Sequence, residues 1–243
     1  MVKTEEKEVI EYELLSDVEL TEHAELGDVV AQSILADRYF GFGESDKDAK
    51  SYYWYRKAAE QDDANAQYMV AFMLQIGCGI EQNEEQAFRW YYKAAMNDQT
   101  DSYYAIAKCY ALGIGVEKDE ERAYPYLMLA CCFNDPLSLI QRGLMSLYGW
   151  YPVKQNMNEA LEWILKAAKC ENKLALIALG TMYAKGLGVE KNNRKASNYY
   201  RKAARFGCPC AKNFTFDKIG WFDPGISYVD CDNCSSACLA QDT

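Results

Sequence analysis

The sequence predicts an all-α protein, a right-handed α-solenoid of five antiparallel helix-pair repeats, about 36 residues each, with a cap at either end. Two recurrences carry that reading. Gly41-Phe42-Gly43, Gly77-Cys78-Gly79 and Gly113-Ile114-Gly115 return at intervals of 36 residues, and Gly186-Leu187-Gly188 follows a degenerate copy near Gly149. Small pairs follow each glycine turn at Ala58-Ala59, Ala94-Ala95, Ala130-Cys131, Ala167-Ala168 and Ala203-Ala204, with Trp54, Trp90, Tyr126, Trp163 and Tyr199 four residues ahead of them.

Each repeat resolves into two helices. In the last one Ala175, Ala178, Leu179, Met182 and Tyr183 form the apolar stripe of helix A. Gly186 and Gly188 end it, because glycine adopts positive φ at little cost. Asn192 then caps helix B, as Asn83, Asp119 and Asn156 do in other repeats. Small residues at Ala175, Ala178, Gly180, Ala203 and Ala204 let the two backbones approach closely. Repeat 4 departs from the pattern, reading Gly149-Trp150-Tyr151-Pro152 in its turn. Its helix A fits with Gly143, Leu144, Leu147 and Tyr148 inward, which implies two extra residues near Asn134-Asp135-Pro136. Pro125, inside helix B of repeat 3, removes one backbone hydrogen bond and predicts a kink.

Composition narrows the function. In 243 residues, 26 Lys and Arg face 36 Asp and Glu, a net charge of −10 that repels phosphate backbones and anionic lipid, so no nucleic acid is expected as a partner. His23 is the only histidine, which excludes sites needing several imidazoles. Five glutamates in the first fifteen residues conflict with a signal peptide, and the longest uncharged stretch, residues 64–80, is too polar for a membrane span. A cytoplasmic protein is therefore expected, with an acidic segment and cap helix over 1–27, repeats over 28–207 and a cysteine-rich cap or tail over 208–243.

The repeat resembles the Sel1-like repeat family, a relative of tetratricopeptide repeats. The resemblance rests on Tyr183-Ala-Lys-Gly-Leu-Gly-Val189 with Tyr199-Tyr-Arg-Lys-Ala-Ala204, and on Trp90-Tyr-Tyr-Lys-Ala-Ala95 and Trp54-Tyr-Arg-Lys-Ala-Ala59. It implies a non-enzymatic adaptor that assembles protein complexes. An immunity-type inhibitor of a cognate secreted toxin is the alternative it also implies. A third alternative, a β-lactam-binding or hydrolysing enzyme, belongs to a cysteine-rich exported branch whose regular cysteine pairs are missing here.

Solenoids bind partners through the exposed positions of the helix lining the concave face. Opposite the buried stripe of helix A a helical wheel places Tyr68 and Phe72, then Tyr104 and Lys108, then Arg142 and Ser146, then Ile177 and Thr181. Tyr68, Phe72, Tyr104, Lys108 and Arg142 are thus the candidate partner-binding residues, suited to a protein or peptide with apolar anchors and a carboxylate. Packing of those rings between repeats is the alternative. The recurrent Trp and Tyr of helix B read as core, and acidic runs such as Glu84-Glu85 complement helix dipoles. Cys78, Cys109, Cys131, Cys132 and Cys170 read as small buried hydrophobes. No cofactor is required, although Cys208, Cys210, Cys231 and Cys234 have spacings that suit a structural zinc; free or redox-active thiols are the alternative.

Overall fold

Four of the five helix pairs start where an Asp or Asn side chain caps helix A, at Asp28, Asp63, Asp135 and Asn172, and all five turn where glycine goes left-handed. The computed structural model describes residues 12–206 except 42 and 44. Among these residues every regular element is helical, and the chain divides into two units between Ser102 and Tyr103.

The first unit opens with a 3₁₀ turn, Tyr12–Leu14, and helix α1, Asp17–Glu25. Two helix A and helix B pairs follow: α2, Val29–Tyr39, with α3, Ser45–Glu60; and α4, Ala64–Ile76, with α5, Glu84–Met96. Asp28 caps α2 by accepting the Ala31 N–H at 3.0 Å, and Asn83 caps α5 by accepting that of Gln86 at 3.0 Å. At the end of α4, Gly77 sits at φ 73°. Its N–H donates to the Met73 carbonyl at 2.9 Å, and that of Cys78 donates to the same oxygen at 3.0 Å. The Asn83 N–H then reaches back to Leu74 O at 2.8 Å, which folds α5 antiparallel onto α4. Leu35, Val70, Met73, Tyr55 and Tyr91 are buried in this unit.

Buried glutamines join its successive repeats. Gln32 Nε2 donates to the Ala24 carbonyl at 2.9 Å, while Gln61 Nε2 donates to Gln32 Oε1 at 2.9 Å and to Gly27 O at 3.1 Å. One repeat later Gln67 donates to Ala59 O at 3.1 Å and accepts from Asn97 Nδ2 at 2.9 Å. Each glutamine thus satisfies a carbonyl near the end of the preceding helix B, which would otherwise be buried unpaired.

The second unit contains most of α6, Asp101–Leu112, then α7, Glu120–Cys132; α8, Pro136–Tyr148; α9, Met157–Lys169; α10, Lys173–Lys185; and α11, Asn193–Arg205. The same turn recurs, with Gly113, Gly149 and Gly186 at φ 75°, 72° and 75°. Asp119, Asn156 and Asn192 donate their N–H groups to Tyr110, Ser146 and Tyr183 at 2.7, 2.7 and 2.8 Å. At the glutamine position the clamp changes chemistry: Tyr103 stacks on Phe133 with centroids 5.6 Å apart, and Leu139 and Leu176 are buried apolar residues.

Repeat 4 corrects the expected register. Asp135 caps α8 and Pro136 takes its first turn, while Gly149 ends it with an N–H to Met145 O bond of 2.8 Å. Both ends therefore match the other repeats, and the two-residue insertion ahead of α8 is absent. The extra residue lies after Gly149, where Tyr151 reaches out and its hydroxyl donates to Glu121 Oε1 at 2.9 Å. In the true register Arg142 occupies the fully buried place of Val70, Ile106 and Leu179. A charge at a core position is what the apolar pattern rejected. Helix α7 continues through Pro125 to Cys132.

Candidate partner-binding site

In the first unit Tyr68 and Phe72 are half-buried on α4. The Tyr68 ring leans on Tyr91 of α5, centroids 5.4 Å apart and planes at 58°. Tyr91 is buried, and its hydroxyl donates to Gln75 Oε1 at 2.9 Å. One edge of the aromatic face is thus pinned to helix B while part of each ring remains open to solvent. In the repeat before, Tyr55 donates to Asp37, and burial together with that carboxylate pushes its phenol far above the usual tyrosine range.

In the second unit Tyr104 and Lys108 are half-buried on α6, at the repeat positions of Tyr68 and Phe72. Burial lowers the Lys108 ammonium below the usual lysine range. Arg142 does not join them as an open cation. It is 7% exposed, pairs with Glu159, donates to Ser146, and lies with its guanidinium 5.5 Å from the Trp163 centroid. Leu144, rather than Arg142, is the repeat equivalent of Lys108. Nor does the exposed face continue along the later helices: Ser146, Ile177 and Thr181 are buried. Thr181 Oγ1 donates to Ile177 O at 3.1 Å and lies 3.2 Å from the Tyr200 hydroxyl.

Lys108 separates structural from functional roles. Replacing it with leucine, the residue at the next repeat, is expected to raise stability by about 1 kcal/mol at neutral pH, since a half-desolvated cation opposes folding. Its folded pKa lies below its unfolded one, so the unfolded chain holds more protons and wild-type stability rises with pH across that interval. Denaturant titrations should therefore show the gap between Lys108→Leu and wild type closing as pH approaches about 10.4. A gap constant with pH would contradict the assignment.

The Trp and Tyr positions of helix B are half-buried rather than fully enclosed; in the first four repeats the residue after them is buried, at Tyr55, Tyr91, Leu127 and Ile164. Cations lie against some of their rings, with Arg56 and Lys93 at 4.8 and 5.3 Å from the Trp90 centroid. His23 packs edge-on to Tyr12 at 5.9 Å. Sequence reasoning missed the glutamine clamps and Asp48, a buried helix α3 carboxylate that accepts from Gly41 and Gly43 N–H at 3.0 and 2.9 Å. The signal for the clamps was a Gln four residues after a capping Asp, at Gln32 and Gln67.

The repeat cysteines divide differently from expectation. Cys78, Cys109 and Cys131 are buried, whereas Cys132 and Cys170 are exposed. Burial pushes the Cys131 thiol up to about 12, and burial with the neighbouring Asp48 pushes Cys78 up to about 11. Native alkylation mapped by mass spectrometry should label Cys132 and Cys170 at least tenfold faster than Cys78 and Cys131. Equal rates would contradict the burial. Cys208, Cys210, Cys231 and Cys234 lie outside the described residues, among which no group of three or more His, Cys, Asp or Glu is placed to hold a metal ion.

Helix pairs repeated at this spacing, each tied by a glycine turn and a carboxamide or carboxylate cap, define an α-solenoid of the interaction-repeat type. The chain belongs to the Sel1 repeat family: the repeat matches at residues 29–63, 64–99, 100–132, 136–172 and 173–207. A crystal structure of a Sel1 repeat protein from Oxalobacter formigenes is 33% identical, with a TM-score of 0.70 over 81% of this chain and 57% of that one. The protective antigen c5321 of uropathogenic Escherichia coli is 32% identical, with a TM-score of 0.68 over 79% of this chain and 41% of that one. Activator of C kinase protein 1 of Saccharomyces cerevisiae is 44% identical over 73 residues, 26% of this chain and 12% of that protein. The chain therefore spans only part of these relatives. Immunity protein Pa5087 of Pseudomonas aeruginosa shares the fold, with a TM-score of 0.56 at 18% identity over 88% of this chain and 81% of that one. No helix among the described residues is long and apolar enough to cross a membrane.

Proposed function

We propose that this chain is a non-enzymatic interaction scaffold that holds a protein or peptide on its helix A faces, through Tyr68 and Phe72 in one unit and Tyr104 and Lys108 in the other. The supporting observation is the half-burial of these four side chains in repeats whose neighbouring stripe is fully buried. Partly exposed aromatic rings held by a rigid helix pair offer contact area without much ordering cost. Arg142 is left out of the contact set, since its charge is already matched by Glu159. The immunity-protein reading remains the alternative, and a likeness at 18% identity supports only its fold.

The test is capture of a partner from the native host, followed by titration with variants. Tyr104→Ala or Phe72→Ala is expected to weaken binding by about 2 kcal/mol, mostly through faster dissociation. Lys108→Ala should give a smaller, salt-sensitive loss through slower association. Unchanged affinity for all three, with helical content and melting temperature retained, would overturn the proposal. Rescue of growth from a co-expressed toxin would favour the inhibitor.

A further inference from the structure

The helix B side carries a second surface, which differs between the two units at equivalent positions. In the first unit a groove of about 380 Å³ beside α1 and α3 is lined by Glu25, Gln32, Trp54 and Lys57. The Gln61 to Gln32 hydrogen bond bridges it. In the second unit the corresponding groove, about 500 Å³ among α9, α10 and α11, has Lys169 for Glu25, Leu176 for Gln32, Tyr199 for Trp54 and Lys202 for Lys57. The polar bridge has no counterpart there: Phe206 stands at the position of Gln61 and is 42% exposed.

The groove is therefore apolar at its base and cationic at its rim. Leu165, Leu176 and Leu179 line it, with Leu165 exposed. Lys166, Lys169 and Lys202 surround them against the single carboxylate of Glu162. None of these lysines forms an ion pair among the described residues, and Lys166 lies 5.5 Å from the Trp163 centroid. The charge is regional: residues 157–206 hold ten Lys and Arg against four Asp and Glu, in a chain whose net charge is −10. In a predominantly acidic protein, a basic region around an open apolar groove is complementary to a ligand that combines carboxylates with an apolar anchor.

We infer that this groove docks an acidic amphipathic segment of a partner protein, its apolar side chains seated on Leu165 and the half-buried Tyr199 and its carboxylates on Lys166, Lys169 and Lys202. The groove shares no residue with the proposed contact set Tyr68, Phe72, Tyr104 and Lys108, so loss of binding at one leaves the other testable.

The probe is a short fluorescein-labelled helical peptide with Leu at i, i+4 spacing flanked by Glu, titrated against the full chain by fluorescence anisotropy. Lys169→Glu, Lys202→Glu and Leu165→Ser should each weaken binding about tenfold or more, with affinity falling as salt rises. A matched peptide with Gln for Glu should bind correspondingly more weakly. Lys57→Glu, at the equivalent groove of the first unit, and Tyr104→Ala should leave binding unchanged; circular dichroism verifies that each variant is folded. Absence of peptide binding to wild type overturns the inference, as does an equal loss in Lys57→Glu, which would signify general charge attraction. Binding that emerges only when Asp217, Asp223, Asp230 and Asp232 are replaced by Asn also overturns it, in favour of the chain's own acidic segment as the occupant.

Discussion

Replacing Gly79 with alanine is expected to cost about 3 kcal/mol or more, while the same change at Gly77 costs only about 1 to 2. Both glycines have positive φ, 69° and 73°, so both substitutions carry the strain of a left-handed L residue. Only Gly79 also faces backbone at close range. A Cβ there would lie 2.3 Å from the carbonyl carbon and oxygen of Asp48, whereas at Gly77 the nearest atom is Gln82 Cβ at 3.3 Å. The first glycine of the motif thus makes the turn, and the second lets the turn press against the preceding helix B. Gly188 repeats the arrangement, with Met157 O at 2.7 Å from its Cβ position. Chemical denaturation of the two variants measures the difference; equal losses would show that the close approach contributes nothing.

The second large effect concerns the buried ion pair of repeat 4. Glu159→Ala should destabilise the protein by about 2 to 4 kcal/mol, because it leaves the Arg142 guanidinium buried without its counter-charge. The loss falls below that of a fully enclosed pair, since the Glu159 side chain is 32% exposed. Arg142→Leu, which restores the residue found at Leu179, should be neutral or stabilising by about 1 kcal/mol or more. The double variant should resemble Arg142→Leu once the isolated cation is gone. A large loss from Arg142→Leu would mean that the bonds to Ser146 and the stacking on Trp163 outweigh desolvation.

The contrast between these sites shows what the sequence could convey. The glycine turns and the helix B caps at Asn83, Asp119, Asn156 and Asn192 were legible because their chemistry is local: a positive φ or an N-terminal N–H needs a particular residue type at one position. Arg142 was misplaced because a charged residue at a core position breaks the apolar pattern from which register is inferred, and its partner Glu159 lies on another helix. The glutamine clamps escaped for a similar reason, since Gln32 becomes a structural residue only when Ala24 and Gln61 are brought beside it. In the candidate site Tyr68, Phe72, Tyr104 and Lys108 kept the register read from the wheel, while the burial of Ile177 and Thr181 depended on packing around α10 that periodicity does not report.

Hydroxyl-radical footprinting of the chain with and without its captured partner reads side-chain exposure ring by ring and so locates the binding face. The helix A proposal predicts that oxidation of Tyr68, Phe72 and Tyr104 falls several-fold in the complex, while the exposed helix B rings of Tyr53 and Tyr92 react as before. Protection confined to Tyr53 and Tyr92, with the helix A rings unchanged, would contradict it.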